Sequence, residues 1–318
     1  MFRVLSAGFV CGDLVLRPVD DLPPLGGNRF VDDARLAIGG CAANASVAFA
    51  RLLAAYGGQA ALAGRVGNDD LGWLLRQALG TEGVDTSQLL VTEGVSTAIN
   101  TALVATGGER SFYVFGGACD RLTPADLPDN LLRRFDHLHL AAVGALPGLA
   151  GAAGADVARR AQRFGLTVSL DITLNPPRDS KADILPILPY VDLFTPNLAE
   201  AQAVLGDGSI DDLLAKGLAA GVSLMAIKLG AAGCALANSR VVSVTEPAFA
   251  VPVKDTCGAG DAWAAAVVFG WRQGWRLVDL GRFANAAGAL CIQSLGATEG
   301  LGDAAMIRRF LDEEIAAG

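Results

Sequence analysis

The chain has 318 residues, of which 52% are hydrophobic and 18% charged, and its formal net charge is −8. This composition is that of a folded globular protein, and the negative charge argues against nucleic acid as a partner, because a phosphate backbone favours a basic surface. Lys181, Lys216, Lys228 and Lys254 are the only lysines, so an anionic ligand must be held by a few arginines, by backbone N–H groups or by a metal.

The cysteines are isolated from one another, at positions Cys11, Cys41, Cys119, Cys234, Cys257 and Cys291. The absence of a C-x-x-C pair excludes a zinc ribbon and a thioredoxin-type redox motif. The apolar start is interrupted by Asp13, which is typical of a first buried strand and not of a signal peptide. These features predict a cytoplasmic protein without a membrane partner. His137 and His139, the only histidines, are expected to be structural.

Short apolar runs alternate with amphipathic stretches along most of the chain, which predicts β-α units and a largely parallel sheet. The predicted strands are Val4–Cys11, Ala60–Val66, Leu138–Val143, Thr167–Asp171, Leu193–Pro196 and Leu224–Lys228. The predicted helices are Ala42–Ala55, Leu71–Leu79, Ala150–Phe164, Ala199–Leu205, Ile210–Ala219, Gly260–Gln273 and Leu277–Ser294.

Two stretches, Asn28–Ile38 and Thr97–Phe115, alternate like strands but interrupt this rhythm, and the second contains a turn at Gly107-Gly108-Glu109. Extra strands of this kind would project from the main sheet with edges that a substrate or another subunit must cover. The pattern leaves open a small β lid or surface hairpins without a function.

The segment Asp255-Thr256-Cys257-Gly258-Ala259-Gly260-Asp261 leads directly into a predicted helix. Small residues before a helix expose the N–H groups of its first turn, which can bind a phosphoryl group. Asp261 would repel that group unless it faces an acceptor hydroxyl and acts as a general base. The alternative is a tight turn in which Asp261 only stabilises the helix start. Neither a Walker A loop nor a G-x-G-x-x-G after a strand is present.

This segment resembles the C-terminal signature of the ribokinase-like (PfkB) carbohydrate kinases, and further motifs follow in family order. The stretch from Ile38 to Leu52 resembles the N-terminal signature, and Arg65 to Gly72 contains a G-x-D-x-x-G turn. Asn197-Leu198-Ala199-Glu200 matches the N-x-x-E element, which by itself is only a helix-capping pattern. Ile227 to Gly233 resembles the nucleotide loop, and Asn285 falls near the expected adenine position.

The resemblance implies a three-layer α/β/α sandwich with a mainly parallel sheet, as one domain over 1–318, with lid strands inserted at about 14–38 and 96–116. It implies an ATP- and Mg²⁺-dependent kinase that phosphorylates a sugar hydroxyl and that dimerises through the lid. In this family Asp261 would be the base and Gly258, Ala259 and Gly260 the anion hole. Acceptor-binding residues would be Asp13, Gly39, Gly40 and Asn44. ATP would contact Asn197, Lys228, Gly230, Gly233 and Asn285. Glu200 and Asp255 would hold metal, with K⁺ considered at Asp255.

After Asp171, many sugar-specific members continue with an Asn and an Arg that help to bind nucleotide or phosphosugar, whereas this chain reads Ile172-Thr173-Leu174-Asn175-Pro176-Pro177-Arg178, which does not fit that pattern. A fructose or 2-keto-3-deoxygluconate acceptor is therefore not assigned by analogy. A nucleoside kinase stays open, since Phe112, Tyr113 and Phe115 could form a slot for a base. A catalytically silent sugar-binding regulator is a third hypothesis, and the intact Gly258–Asp261 segment argues against it.

Overall fold

The structure is a computed structural model that describes residues 1–107, 109–175, 178–240 and 243–317. Gly108 of the predicted turn, and Pro176 and Pro177 of the divergent segment, lie outside the described residues. The strands are β1 Arg3–Gly8, β2 Cys11–Arg17, β3 Asp33–Gly39, β4 Gln59–Gly67, β5 Val84–Thr92, β6 Ile99–Val104, β7 Arg110–Phe115, β8 His137–Ala141, β9 Thr167–Leu170, β10 Leu193–Phe194, β11 Leu224–Lys228, β12 Cys234–Asn238 and β13 Val244–Glu246. The helices are α1 Cys41–Ala54, α2 Asp70–Thr81, α3 Asp129–Leu132, α4 Ala152–Arg163, α5 Ser180–Ile184, α6 Leu198–Leu205, α7 Ile210–Ala219, α8 Ala259–Arg272, α9 Leu277–Cys291 and α10 Ala304–Ala317.

The main sheet has the strand order β13-β12-β11-β10-β9-β8-β1-β4-β5. Its strands are parallel except at the β11–β12–β13 edge. The central strands β1 and β8 are almost wholly buried on both faces, as expected for a parallel sheet covered by helices. Helices α1, α8 and α9 pack together on one face. The predicted three-layer α/β/α architecture is confirmed.

A second, four-stranded sheet has the order β3-β2-β6-β7 and forms the lid. Strand β2 pairs in parallel with β6, and the outer pairs are antiparallel. The prediction of one first strand, Val4–Cys11, was wrong. The chain leaves the main sheet after Gly8 and enters the lid at Cys11, so Asp13 lies within a lid strand and not at the end of the first core strand.

Candidate active site

The segment 255–261 lies at the start of α8, and its backbone geometry requires glycine. Gly258 precedes the helix with φ +74°, and a Cβ on it would lie 2.2 Å from the carbonyl oxygen of Ala297. A Cβ on Gly260 would lie 3.4 Å from Lys228 Nζ. The first-turn N–H groups of α8 and the Lys228 ammonium therefore converge on one point, which suits a phosphoryl group.

Asp261 lies in the first turn of α8 and is only 8% exposed. Its Oδ2 accepts a hydrogen bond of 2.8 Å from Asn44 Nδ2 on α1. Burial, followed by the negative charge of Asp171, raises the pKa of Asp261 to about 7, against the opposing effects of Asn44 and Lys228. A carboxylate with this pKa can take up a proton near neutral pH, which a general base must do.

A buried charge cluster lies beside this helix start. Lys228, at the end of β11, places Nζ 2.9 Å and 3.1 Å from the two carboxylate oxygens of Asp171, which follows β9. Glu200 is 8% exposed, and burial raises its pKa to about 7, with Asp171 adding to the rise and Lys228 opposing it. Asp171 and Glu200 together hold the pKa of Lys228 above its ordinary value despite burial, so the ammonium remains charged.

The N-x-x-E element is a capping box in the structure. Asn197 Oδ1 accepts from the Glu200 N–H at 2.9 Å, and Glu200 Oε2 accepts from the Asn197 N–H at 2.7 Å. Asn197 and Glu200 therefore do cap the N-terminus of α6, as the pattern alone would suggest. This capping does not account for the burial of Glu200 beside Asp171 and Lys228.

The predicted acceptor residues meet at the base of the lid. Asp13 Oδ1 accepts from Asn100 Nδ2 on β6 at 3.0 Å. A Cβ on Gly39 would collide with the Asp13 carboxylate, so glycine is needed there. Burial raises the pKa of Asp13 to about 6, against the hydrogen bonds from Cys11 and Asn100.

Two amide oxygens in this region, Asn44 Oδ1 and Asn100 Oδ1, are buried without a hydrogen-bond partner among the described residues. A buried acceptor without a partner is costly and requires an explanation. Hydroxyl groups are donors that could pair with both oxygens, which lie beside Asp261 and Asp13 because the same two amides donate to these carboxylates.

A cavity of about 540 Å³ opens on the other side of the start of α8. Its wall is largely apolar and includes the predicted nucleotide-binding residues Lys228, Gly230, Gly233 and Asn285. The Asn285 amide is fully used within the protein. Its Nδ2 donates to the carbonyls of Glu246 and Pro247, and its Oδ1 accepts from Trp263. Asn285 thus shapes this cavity by fixing the segment that follows β13.

A larger cavity, of about 800 Å³, lies elsewhere, at the residues that begin β1, β4 and β5. Two of its arginines, Arg3 and Arg51, pair with Asp136 and Glu82. The groups described above lie instead at the carboxyl ends of the strands, where ligands bind in open α/β sheets. We therefore place the active site there, despite the smaller cavity.

Asp255 is held by groups that sequence reasoning did not identify. Its Oδ1 accepts from Arg110 Nη1 on β7 at 2.8 Å and from the Cys257 N–H at 2.9 Å, and its Oδ2 accepts from the Gly296 N–H at 3.0 Å. Arg110 Nη1 also lies 2.7 Å from Cys257 Sγ, and Nη2 contacts Thr256 Oγ1. A lid arginine therefore touches three consecutive residues before Gly258.

The residues expected to be structural have ordinary roles. His137 and His139 are fully buried on β8 and share Ser169 through hydrogen bonds of 2.7 Å. Lys254 is exposed. Asn100, Arg110 and Asp171 were missed, because none belongs to the motifs that were recognised. A signal was present for Asp171, a charged residue that directly follows the buried strand β9.

A model of the pfkB family of carbohydrate kinases matches residues 3–304. The chain belongs to this family. The kinase is 34% identical over 303 residues to the ATP-dependent ribose-1-phosphate kinase of Halopiger xanaduensis, covering 93% of this chain and 94% of the relative.

Two solved structures show the same fold. Ribokinase of Arabidopsis thaliana, solved with ribose and ATP, has a TM-score of 0.83 and 24% identity over 98% of the kinase and 99% of that chain. An E. coli structure described as ribokinase II, in complex with ATP and Mg²⁺, has a TM-score of 0.82 and 21% identity over 98% of the kinase and 100% of that chain.

These findings confirm the predicted class of reaction, ATP-dependent phosphoryl transfer to a sugar, and do not favour the nucleoside kinase or the silent regulator. Among the described residues, no helix of the kinase is both long enough and apolar enough to span a membrane. Within the same residues, no group of three or more His, Cys, Asp or Glu side chains forms a ready-made metal site.

Proposed function

We propose that Asp261 removes the proton of a sugar hydroxyl while the hydroxyl oxygen attacks the γ-phosphorus of ATP. The new O–P bond forms, the bond from the γ-phosphorus to the β,γ-bridging oxygen breaks, ADP leaves, and the proton remains on the Asp261 carboxyl. The N–H groups of Gly258, Ala259 and Gly260 would stabilise the transferred group. The observation that carries this proposal is a pair of unpartnered amide oxygens, on Asn44 and Asn100. Asn44 donates to Asp261, a buried carboxylate of raised pKa, and Asn100 donates to Asp13.

The acceptor sugar would lie between Asp13 and Asp261, over Gly39 and Gly40. Its hydroxyls would donate to Asn44 Oδ1, Asn100 Oδ1 and Asp13. This arrangement uses short carboxylate and amide partners with glycine where the backbone approaches closely, as sugar recognition requires.

ATP would place its adenosine in the cavity of about 540 Å³ and its triphosphate toward Gly258 and Lys228. Mg²⁺ prefers oxygen ligands, keeps several waters and bridges phosphate oxygens. The buried carboxylates of Glu200 and Asp171 supply hard oxygens beside Lys228 and fit such a water-mediated role, with Asn197 holding Glu200 in place. When bound, the ion neutralises charge on the phosphates. The complexes of related kinases with ATP, and in one case with Mg²⁺, support this proposal.

Asp255 fits a metal less well. Its carboxylate already accepts hydrogen bonds from Arg110 and from the N–H groups of Cys257 and Gly296. The K⁺ site considered there stays a prediction, and no step of the proposed reaction depends on it.

The outer face of the lid supports the predicted homodimer. Register pairing places Leu14, Leu36, Leu103, Tyr113 and Phe115 on the face opposite Asp13, and the strands carry no charged side chain on that face. Tyr113 is 58% exposed and Phe115 50% exposed, so a large apolar surface lacks cover. A second copy of the same lid would bury it and protect the edges of β3 and β7. The same register separates Phe112 from Tyr113 and Phe115, so the three rings do not form one slot for a nucleoside base.

A reducing, cytoplasmic location is proposed as well, because Cys11, Cys41, Cys119, Cys234, Cys257 and Cys291 are all free thiols.

The experiment is the release of ADP from Mg-ATP with a panel of pentoses, hexoses, sugar acids, sugar phosphates and nucleosides. Asp261→Asn is the blank and Asp279→Asn, an exposed aspartate paired with Arg276, is the control. We expect an acceptor-dependent signal that Asp279→Asn retains and Asp261→Asn loses by at least about a hundredfold. Undiminished turnover by Asp261→Asn would remove this residue from the role of base.

A further inference from the structure

The lid sheet is divided between a charged inner face and an apolar outer face. The register of β2 with β3 places Asp13, Arg17, Asp33 and Arg35 on one face. The register of β6 with β7, carried over from the pairing of β2 with β6, adds Arg110 to that face. All the arginines of the lid strands thus point to the side on which the acceptor site lies.

A third cavity lies along this inner face. It has a volume of about 330 Å³ and lies between the lid and the loop that precedes α8. Val15 and Ala102, which line it, are the next inward-facing residues after Asp13 and Asn100. Two residues of a strand span about 7 Å, so the cavity begins one short step beyond the proposed sugar site.

The wall of this cavity is basic in a protein whose net charge is −8. Arg17, Arg110 and Lys254 line it, with Asp255 as the acidic residue of the wall. Arg110 is neutralised by Asp255, and no acidic side chain among the described residues pairs with Lys254.

Arg17 shares its acidic partner with another arginine. Its Nη2 lies 2.7 Å from Asp33 Oδ2, and Arg35 Nε lies 3.1 Å from the same oxygen. One carboxylate therefore balances two guanidinium groups. The inner face keeps an excess of positive charge around a space large enough for a polar substituent.

We infer that this cavity is an anion subsite, formed by Arg17, Arg110 and Lys254, and that the acceptor is a sugar phosphate whose phosphate monoester lies in it. The inference rests on the proposed function, since it extends the same acceptor site. Guanidinium groups bind phosphate oxygens in a fixed fork geometry, and a dianion suits a wall with more than one positive charge. Arg17 and Lys254 would supply the positive charge that Asp255 does not already neutralise, without moving the sugar from Asp13 and Asp261.

The test compares two arginine variants that differ in one respect. Arg17→Gln and Arg35→Gln remove the same charge from the same face and the same ion-pair partner, but only Arg17 lines the cavity. The acceptors are ribose, ribose 1-phosphate, ribose 5-phosphate and gluconate with Mg-ATP, and kcat/KM is measured for each. Thermal midpoints of both variants establish that they fold equally well.

We expect the best sugar phosphate to exceed ribose in kcat/KM. In Arg17→Gln the ratio of kcat/KM for that phosphate over ribose should fall about 10- to 100-fold, mainly through KM, as one charge-assisted hydrogen bond predicts. In Arg35→Gln the same ratio should change by less than about threefold, because Arg35 is exposed and does not line the cavity. Inorganic phosphate should compete with the sugar phosphate in the wild type.

Three results would overturn the inference: ribose or gluconate as the preferred acceptor, equal losses in the two variants, or no competition by phosphate. None of them affects the proposed function, which fails only if no acceptor releases ADP or if Asp261→Asn stays active.

Discussion

Replacing Asp261 by Asn should make the kinase more stable while it abolishes turnover. The carboxylate is 8% exposed, and its pKa is raised from 3.8 to about 7. Because the pKa of Asp261 is higher in the folded protein than in the unfolded chain, the protonated carboxyl makes its full contribution to folding stability below about pH 4. It is lost as the pH rises through 7. At pH 8 the folded protein therefore carries an ionised group that burial disfavours.

The size of the expected stabilisation follows from the rise in the pKa of Asp261. A rise of about three pKa units corresponds to about 4 kcal/mol, at 1.36 kcal/mol per unit, which is the upper limit of the gain at pH 8. Asparagine is neutral, occupies nearly the same volume and can still accept the hydrogen bond from Asn44. Half of this gain would raise the thermal midpoint by about 3 °C, because about 2.1 cal/mol/K per residue gives a chain of 318 residues an unfolding entropy of about 0.67 kcal/mol/K.

Differential scanning calorimetry of the ligand-free proteins at pH 8 and pH 5 measures the effect. We expect Asp261→Asn to melt at least about 3 °C above the wild type at pH 8 and above it by less than half of that margin at pH 5, where the carboxyl of the unfolded chain is already mostly ionised. Asp279→Asn is the control, because Arg276 lowers the pKa of Asp279, so its replacement should not stabilise the fold. A lower midpoint for Asp261→Asn at pH 8, or a gain that does not depend on pH, would refute the reasoning.

Three further predictions concern neighbouring groups. The logarithm of kcat/KM should fall below pH 7 by more than one unit per pH unit, because Asp261 and Glu200 both have pKa values of about 7 and both would function in the ionised form. A flat profile from pH 8 to 5 in initial-rate assays would contradict this. Asn100→Ala should raise the KM of the acceptor about tenfold and leave the KM of ATP unchanged, whereas a change confined to ATP would place Asn100 elsewhere. Lys228→Met should lower the free energy of unfolding in urea titrations by about 3–5 kcal/mol, because it leaves the buried Asp171 carboxylate without its ion-pair partner. Adding Asp171→Asn should restore part of this loss, whereas additive losses in the double variant would argue against the ion pair.

Much of the fold followed from the sequence because hydrophobic periodicity reports burial directly. The helix Ile210–Ala219 was predicted with its observed bounds, and those at 259–272 and 277–291 within a few residues. The lid strand β3 overlapped the first alternating stretch, and β7 fell within the second. The error at Val4–Cys11 has a physical cause, since Phe9, Val10 and Cys11 are buried where the chain passes from one sheet to the other. An apolar run shows that residues are buried but not in which sheet.

The site residues could be predicted only where they lie close together in the sequence and form a recognisable motif. Gly258 and Asp261 share one turn, so their motif shows at once. The contacts of Arg110 with Asp255, and of Lys228 with Asp171, join residues far apart in the chain. No local pattern marks such pairs, because each depends on how two separate elements pack.

The contacts of Arg110 connect the lid to the loop that precedes α8. In the proposed function the lid supplies Asp13 and Asn100 to the acceptor, and through Arg110 it also holds Asp255, Thr256 and Cys257, the residues that lead into the proposed anion hole. Asp255 in turn fixes the Cys257 and Gly296 N–H groups on either side of the loop. The lid position that completes the sugar site is thus the one that braces the phosphoryl site. Coupling of this kind assembles the catalytic groups only when the acceptor is enclosed, which limits the transfer of phosphate to water.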